Sequence, residues 1–275
     1  MRALFAALLF CAPLAAGQAP PAGAPDLPQP GEIGKDVMWL PSEDAVVRRM
    51  LDFAQVTSRD FVVDLGSGDG RTVIAAARRG ARALGVEFNV QLVEHSRRLA
   101  REAGIGDRAR FVQGDLFDAD LSQATVISLF LLEEMNIKLR PKLLGLKPGT
   151  RVVSNTFAMG NWRADDSAKV TVKQGCTAYC DVYLWIVPAQ VDGAWQLGAG
   201  ELTIEQSFQV IAGTLRESGR ATAIEGRVRG DRISFRAGDA EYRGRVDAGG
   251  ITGTFKAPGA TGTWSATRTK QSPPA

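Results

Sequence analysis

Hydrophobic and polar positions change period along the chain. From about residue 36 to 157, short β-branched runs alternate with longer stretches of helical spacing. The runs are Phe61–Leu65, Ala83–Glu87, Ala109–Gln113, Ala124–Leu131 and Arg151–Asn155. Helical stretches begin near Glu43, Arg71, Val90 and Glu133, with Gly80, Gly104 and Gly145 where C-terminal caps belong. Ser42, followed by Glu43 and Asp44, suits a helix start, because a hydroxyl caps and carboxylates favour the positive end. Strands separated by helices predict an α/β domain over 36–188, a Rossmann-like, doubly wound, mostly parallel sheet with helices on both faces.

After Trp162 the helical period stops. Lys169–Gln174 and Asp181–Val187 predict an antiparallel hairpin that closes this sheet. From about Gly200 the chain breaks into short alternating segments: Leu202–Phe208, Thr222–Val228, Arg232–Arg236, Glu241–Val246, Ile251–Phe255 and Thr263–Thr267. The turns between them carry Gly-Asp, Gly-Gly or Pro-Gly. Such spacing predicts a small all-β antiparallel meander or barrel domain over 189–270, with a tail at 271–275. A domain this small has a marginal core of its own, so it is expected to lean on its neighbour.

The first residues read differently. Arg2, an apolar stretch and the small residues Ala15, Ala16, Gly17 and Ala19 make Met1–Ala19 an export signal peptide. An uncleaved membrane anchor is the alternative. Residues 20–35, rich in Pro, Ala and Gly, read as a linker. Export to the periplasm or beyond makes the other cysteines interesting. Cys176 and Cys180 flank a turn and stand either as a disulfide or as two free thiols; the third, Cys11, lies in the leader.

Composition narrows the chemistry. The 275 residues are 45% apolar and 23% charged, which excludes wholesale disorder. Net charge is +3, from 33 basic and 30 acidic side chains with no basic block, so nucleic acid is not an expected partner. The one histidine, His95, sits among charged residues of an amphipathic helix and leaves no His-based metal cluster; no metal is expected. In the last third, Arg227, Arg229, Arg232, Arg236, Arg243 and Arg245 form a basic series. They read as solubilising strand faces, or else as a contact with anionic lipid or an acidic envelope partner.

Asp64-Leu-Gly-Ser-Gly-Asp-Gly70 ends the first strand and leads into a helix, where doubly wound sheets bind ligands. Glu87 at the end of the second strand and Asp115 after the third join it. Dinucleotide sites use Gly-x-Gly-x-x-Gly/Ala, but counting from Gly66 puts Arg71 at the third small position. Asp64 would face a pyrophosphate badly and an ammonium well. A nucleoside carrying an amino-acid group and no phosphate fits better, and S-adenosylmethionine is that ligand.

Asp64–Gly70 resembles motif I of class I S-adenosylmethionine-dependent methyltransferases. Trp39–Ser42, Asp64–Arg71, Gln113–Phe117, Leu139–Leu143 and Gly149–Ser154 resemble the protein-lysine methyltransferases of ATP-synthase c-subunit and adenine nucleotide translocase, and their bacterial relatives. The resemblance implies that Asp64, Gly66 and Gly68 line the methionine moiety and that Glu87 accepts both ribose hydroxyls. It places Asp115 at the adenine amino group, Leu116 against the ring, and Trp39 and Ser42 over the cofactor. Two positions depart from the family, which often has tyrosine where Trp39 stands and histidine where Asn155 stands. The Asn/Asp-Pro-Pro-aromatic sequence of many nitrogen methylators is replaced by Ser128–Glu133. No catalytic base is identified; Glu133, Asn136 and Asn155 are the candidates to orient an incoming amine. The implied activity is in-line methyl transfer to a lysine amine of a protein substrate. The competing reading is an exported binding protein that keeps the cofactor fold and uses its β-domain for contact.

Overall fold

The computed structural model describes residues 27–270. The proposed leader, the first part of the linker and the tail lie outside the described residues.

The α/β domain contains α1 (Asp44–Phe53), β1 (Phe61–Leu65), α2 (Arg71–Arg78), β2 (Arg82–Glu87), α3 (Val90–Glu102), β3 (Ala109–Gln113), β4 (Val126–Leu129), α4 (Glu133–Leu144), β5 (Arg151–Asn155), β6 (Asp166–Lys169) and β7 (Asp181–Ile186). The sheet order is β3-β2-β1-β4-β5-β7-β6. The first five strands run parallel, while β7 lies antiparallel to β5 and to β6. Period-two alternation sends neighbouring residues into two separate cores. Val62 and Val153 face α1, α2 and α3, whereas Val63, Leu65 and Val152 face α4. Both faces are covered, which is why these strands read as unbroken apolar runs. Each fully buried Val or Leu contributes about 1.5–3 kcal/mol to holding the layers together.

The closing hairpin is displaced from its expected position. Asp166–Lys169 pairs with β7, while Val172–Gln174 forms a 3₁₀ turn. Thr171 and Gln174 cap that turn reciprocally, and the Thr171 amide donates to Gln174 Oε1 at 2.9 Å. Such local bonds compete with a strand ladder for the same backbone groups. Ser42 does not cap α1: Glu43 occupies the cap position, and the Ser42 hydroxyl instead accepts from Asn155 Nδ2 at 3.0 Å. Cys176 and Cys180 form a disulfide, with Cα atoms 5.8 Å apart.

The second domain is a closed antiparallel barrel of β8 (Gly193–Leu197), β9 (Gly200–Ser207), β10 (Val210–Glu217), β11 (Arg220–Arg229), β12 (Arg232–Ala237), β13 (Ala240–Asp247), β14 (Gly250–Ala257) and β15 (Ala260–Lys270). Pairing of β15 with β8 removes the free edges. Six strands were legible in the pattern; β8 and β10 were not. Gly213 breaks the apolar alternation of β10 without breaking the strand, since a Cβ there would stand 1.9 Å from the Thr203 carbonyl oxygen. Inside, Phe235 stacks on Tyr242 at 4.7 Å, and Trp264 meets both edge-on. The Trp264 indole N–H donates to the Arg243 and Thr254 carbonyls at 3.2 and 3.1 Å.

As expected from its size, the barrel leans on the α/β domain. Phe208 stacks on the buried Trp162, Gln209 Nε2 donates to the Arg163 carbonyl, and Arg227 pairs with Asp165 at 2.8 Å. Arg227 is thereby taken from the basic series, and Arg245 pairs with Asp231. Among the described residues no helix is long and apolar enough to cross a membrane. Trp264→Ala is expected to cost about 3–5 kcal/mol, as for other large aromatic truncations in cores. Denaturant unfolding followed by tryptophan fluorescence measures this loss.

Candidate active site

The parallel order reverses between β1 and β4, and their carboxyl ends open into a cavity of about 560 Å³. Strand-to-helix connections diverge there, leaving a crevice in which polar backbone can face a ligand. The Gly66 and Ser67 amides donate to the Val86 carbonyl at 2.9 and 3.1 Å, tying the β1 loop to β2. The Gly68 amide donates to Glu87 Oε2 at 2.9 Å, and the Asn89 amide donates to Glu87 Oε1 at the same distance. Both carboxylate oxygens are oriented by backbone and keep lone pairs for hydroxyl donors.

The glycines of this loop are required by space as well as conformation. Gly68 has φ +52°, and a Cβ on it would stand 2.4 Å from Trp39 Nε1. Gly70 has φ +79°, and a Cβ there would meet the Phe111 ring at 2.6 Å. The result is a cradle of bare main chain at the start of α2. Asp69 is turned away from it into a 2.6 Å pair with Arg71, and Arg71 also donates to the Ser42 carbonyl. The residue that excludes a dinucleotide motif therefore fastens the loop to the chain before α1.

Asp64 is nearly buried at 6% exposure, in register with Ser128 on β4 and Gly85 on β2. Burial pushes its carboxyl up to about 7; the Ser128 hydroxyl opposes the rise, and the Glu87 and Asp69 charges add to it. A cationic ligand group beside it would favour the ionised form.

A strap of residues 29–40 crosses the cavity. The Gly31 amide donates to the Trp39 carbonyl and the Trp39 amide to the Glu32 carbonyl, both at 2.9 Å, making a small hairpin. Trp39 lies on Gly68, while Lys35 at the hairpin tip pairs with Asp115 and sits 5.0 Å above the Phe88 ring. The Lys35 ammonium holds the Asp115 carboxyl below the usual range, helped by the Phe117 amide donating to Oδ1 at 2.8 Å. Leu116 and Leu131 line the wall facing Gly66. Lys35 had no signal in the sequence, since a lysine in a Pro/Gly-rich stretch looks like a solvated linker charge.

The three residues expected to orient an amine do not line this cavity. Glu133 accepts from the Gly160 amide at 3.1 Å. Asn136 is fully buried and donates to the Phe157 and Ala158 carbonyls at 3.3 and 3.1 Å. Asn155, also fully buried, bonds Ser42 and accepts from the Thr156 hydroxyl. Each is committed to contacts that fix the loops around the mouth, although Asn136 Oδ1 is buried without a hydrogen-bond partner.

Residues 64–166 match the model of the ANTKMT methyltransferase domain. A protein-lysine N-methyltransferase of Saccharolobus islandicus is 43% identical over 137 residues, spanning 49% of this chain and 85% of that protein. The chain belongs to this methyltransferase family. The lysine N-methyltransferase of the ATP-synthase c-subunit in Mus musculus is 41% identical over 39% of this chain and 44% of its own length. The chain thus spans less than half of that mouse relative. A Salinibacter ruber RNA methyltransferase, solved with S-adenosyl-L-homocysteine, superposes with TM-score 0.51 at 47% identity, covering 55% of this chain and 96% of that one. The methyltransferase uses S-adenosylmethionine, and the glycine cradle and the backbone-held Glu87 carboxylate of the cavity fit that cofactor.

Affinity for S-adenosylhomocysteine, which keeps the cofactor's ammonium group, is expected to be pH-dependent. Below about pH 7 Asp64 is mostly neutral and binding must expel its proton, so affinity falls as pH drops. The ionised fraction rises about tenfold from pH 6 to pH 8, and affinity should follow. Calorimetric titration checks this, and Asp64→Asn should flatten the profile.

Proposed function

We propose that this methyltransferase transfers the cofactor's methyl group to a lysine amine of a protein. The observation that carries the reading is the Gly68–Glu87 contact, a carboxylate held by bare backbone at the floor of a cleft large enough for a nucleoside. In this reading Glu87 receives the ribose hydroxyls, and Asp64, Gly66 and Gly68 border the amino-acid end. Asp115 and Leu116 border the base, with Lys35 yielding part of its hold on Asp115. Trp39 covers the cradle, while Ser42 acts indirectly by joining Asn155 and Arg71 to the segment before α1.

The cofactor supplies an activated methyl group, so the chain's own contribution is placement and exclusion of water. A lysine amine has a reference pKa near 10.4 and must arrive neutral. The apolar wall of Phe130, Leu131 and Met135 favours the neutral amine by desolvation. No side chain on that wall is needed as a base if solvent takes the proton before the amine reaches it.

The protein acceptor is supported by the named activities of the Saccharolobus and mouse relatives. The Salinibacter relative's description names RNA instead. The Glu43 carboxylate, held by Thr177 of the loop between Cys176 and Cys180, pairs with no cation among the described residues and would repel a phosphate backbone, so a cationic side chain fits better. The Cys176–Cys180 bond supports export to an oxidising compartment, since such bonds persist there.

Incubation with methyl-labelled cofactor, a protein extract and an RNA fraction tests the acceptor. Label is expected in protein and recovered as methyl-lysine after hydrolysis; label in RNA alone overturns the reading. Glu87→Gln should weaken cofactor binding about tenfold to a hundredfold, the loss of charge-assisted hydrogen bonds worth about 1.5–3 kcal/mol. Cofactor titration of the folded variant measures it.

A further inference from the structure

Phe130, which follows β4, belongs to the cavity wall and also to a group of three rings leading outward. Its centroid lies 6.2 Å from Phe157, after β5, and 5.5 Å from Tyr179, in the loop closed by Cys176 and Cys180. Phe157 and Tyr179 stand 6.3 Å apart. Phe130 and Phe157 are half-buried, and Tyr179 is 46% exposed. Three aromatic residues from distant parts of the chain thus make a continuous surface from solvent to the cofactor cavity.

Each outer ring is held by backbone that is costly to form. Thr156 has φ +62° and Tyr179 φ +56°, conformations that a β-branched or bulky residue rarely adopts. The Phe157 carbonyl is held by the Ser154 hydroxyl at 2.7 Å and by Asn136. The loop carrying Tyr179 is fixed by its disulfide and by Glu43, which accepts from the Thr177 amide and hydroxyl at 3.0 and 2.7 Å. Those bonds keep the Glu43 carboxyl below the usual range, hence ionised, and no cation pairs with it among the described residues. Strain of this kind persists where the surrounding structure over-determines it.

We propose that Phe130, Phe157 and Tyr179 form the acceptor-recognition surface, which takes an aliphatic chain ending in an ammonium group, and that the Cys176–Cys180 bond is needed to complete it. The inference rests on the methyltransferase reading of the adjoining cavity. Ring faces attract a cation within about 6 Å of their centroids, and the aliphatic stem packs on the same surface. The Glu43 charge lies beside the outer ring's loop and attracts the same end of the acceptor. Moving inward from exposed Tyr179 to Phe130, the ammonium group loses water and its neutral form becomes more accessible at the cavity wall. Recognition of the ammonium group outside, loss of its proton to solvent along the exposed rings and entry of the neutral amine at the wall are then properties of one surface.

The probes are choline and its neutral isostere 3,3-dimethylbutanol, titrated by NMR into the full chain with and without S-adenosylhomocysteine. Choline is expected to bind at least fivefold more tightly than the isostere. Tyr179→Ala, and the double change Cys176→Ser with Cys180→Ser, should each remove most of that preference. Tyr179→Phe should keep it, and none of these should change S-adenosylhomocysteine affinity more than twofold. Equal binding of the two probes, or a preference that survives Tyr179→Ala and loss of the disulfide, overturns the proposal. Failure of S-adenosylhomocysteine to bind overturns the cofactor reading instead, and the choline preference is read independently of it.

Discussion

The hydrogen bond from the Gly68 amide to the Glu87 carboxylate joins the ends of two neighbouring strands across the site. It exists only because the loop after β1 exposes an unencumbered N–H, and that exposure needs a residue without a Cβ beneath Trp39. The same loop is tied to β2 through the Val86 carbonyl and to the chain before α1 through Arg71. Backbone approach, carboxylate orientation and strap position are consequences of one turn. A substitution that widened the turn would disturb all three, because they share the same few residues.

The two sides of the site are built by different means. On the cofactor side, consecutive residues at strand ends do the work, and the parallel sheet places those ends together by its topology. On the proposed acceptor side the surface comes from loops after β4 and β5 and from a disulfide-closed loop before β7. Their buried amides, Asn136 and Asn155, hold neighbouring backbone and side chains rather than facing the cleft. The barrel contributes from behind: Phe208 and Gln209 brace Trp162 and Arg163 on the stretch between β5 and β6. Its arginines are partly spent in that bracing, as Arg227 on Asp165 shows.

Much of this was readable before the fold was known. The alternation of runs and helical stretches announced the parallel sheet, and Asp64–Gly70 announced its ligand end, because strand and cradle are local in sequence. The displaced hairpin was missed because Thr171 and Gln174 satisfy each other by side-chain bonds that hydrophobic periodicity does not register. β10 was missed because Gly213 removes an apolar marker at a point where strands nearly touch. Glu133, Asn136 and Asn155 lie near the mouth, as their positions after β4 and in β5 suggest, but none lines the cavity, because side-chain direction follows the backbone and hydroxyl partners that the fold brings nearby.

What the amino-acid order determined by itself is the periodicity, the glycine cradle and the acids at the strand ends, since each depends on residues a few positions apart. The closure of eight strands into a barrel, the grip of Lys35 on Asp115 and the meeting of Phe130, Phe157 and Tyr179 were decided only in three dimensions. Those contacts join residues tens of positions apart, and nothing in a local pattern records the distance between chain segments that packing brings together.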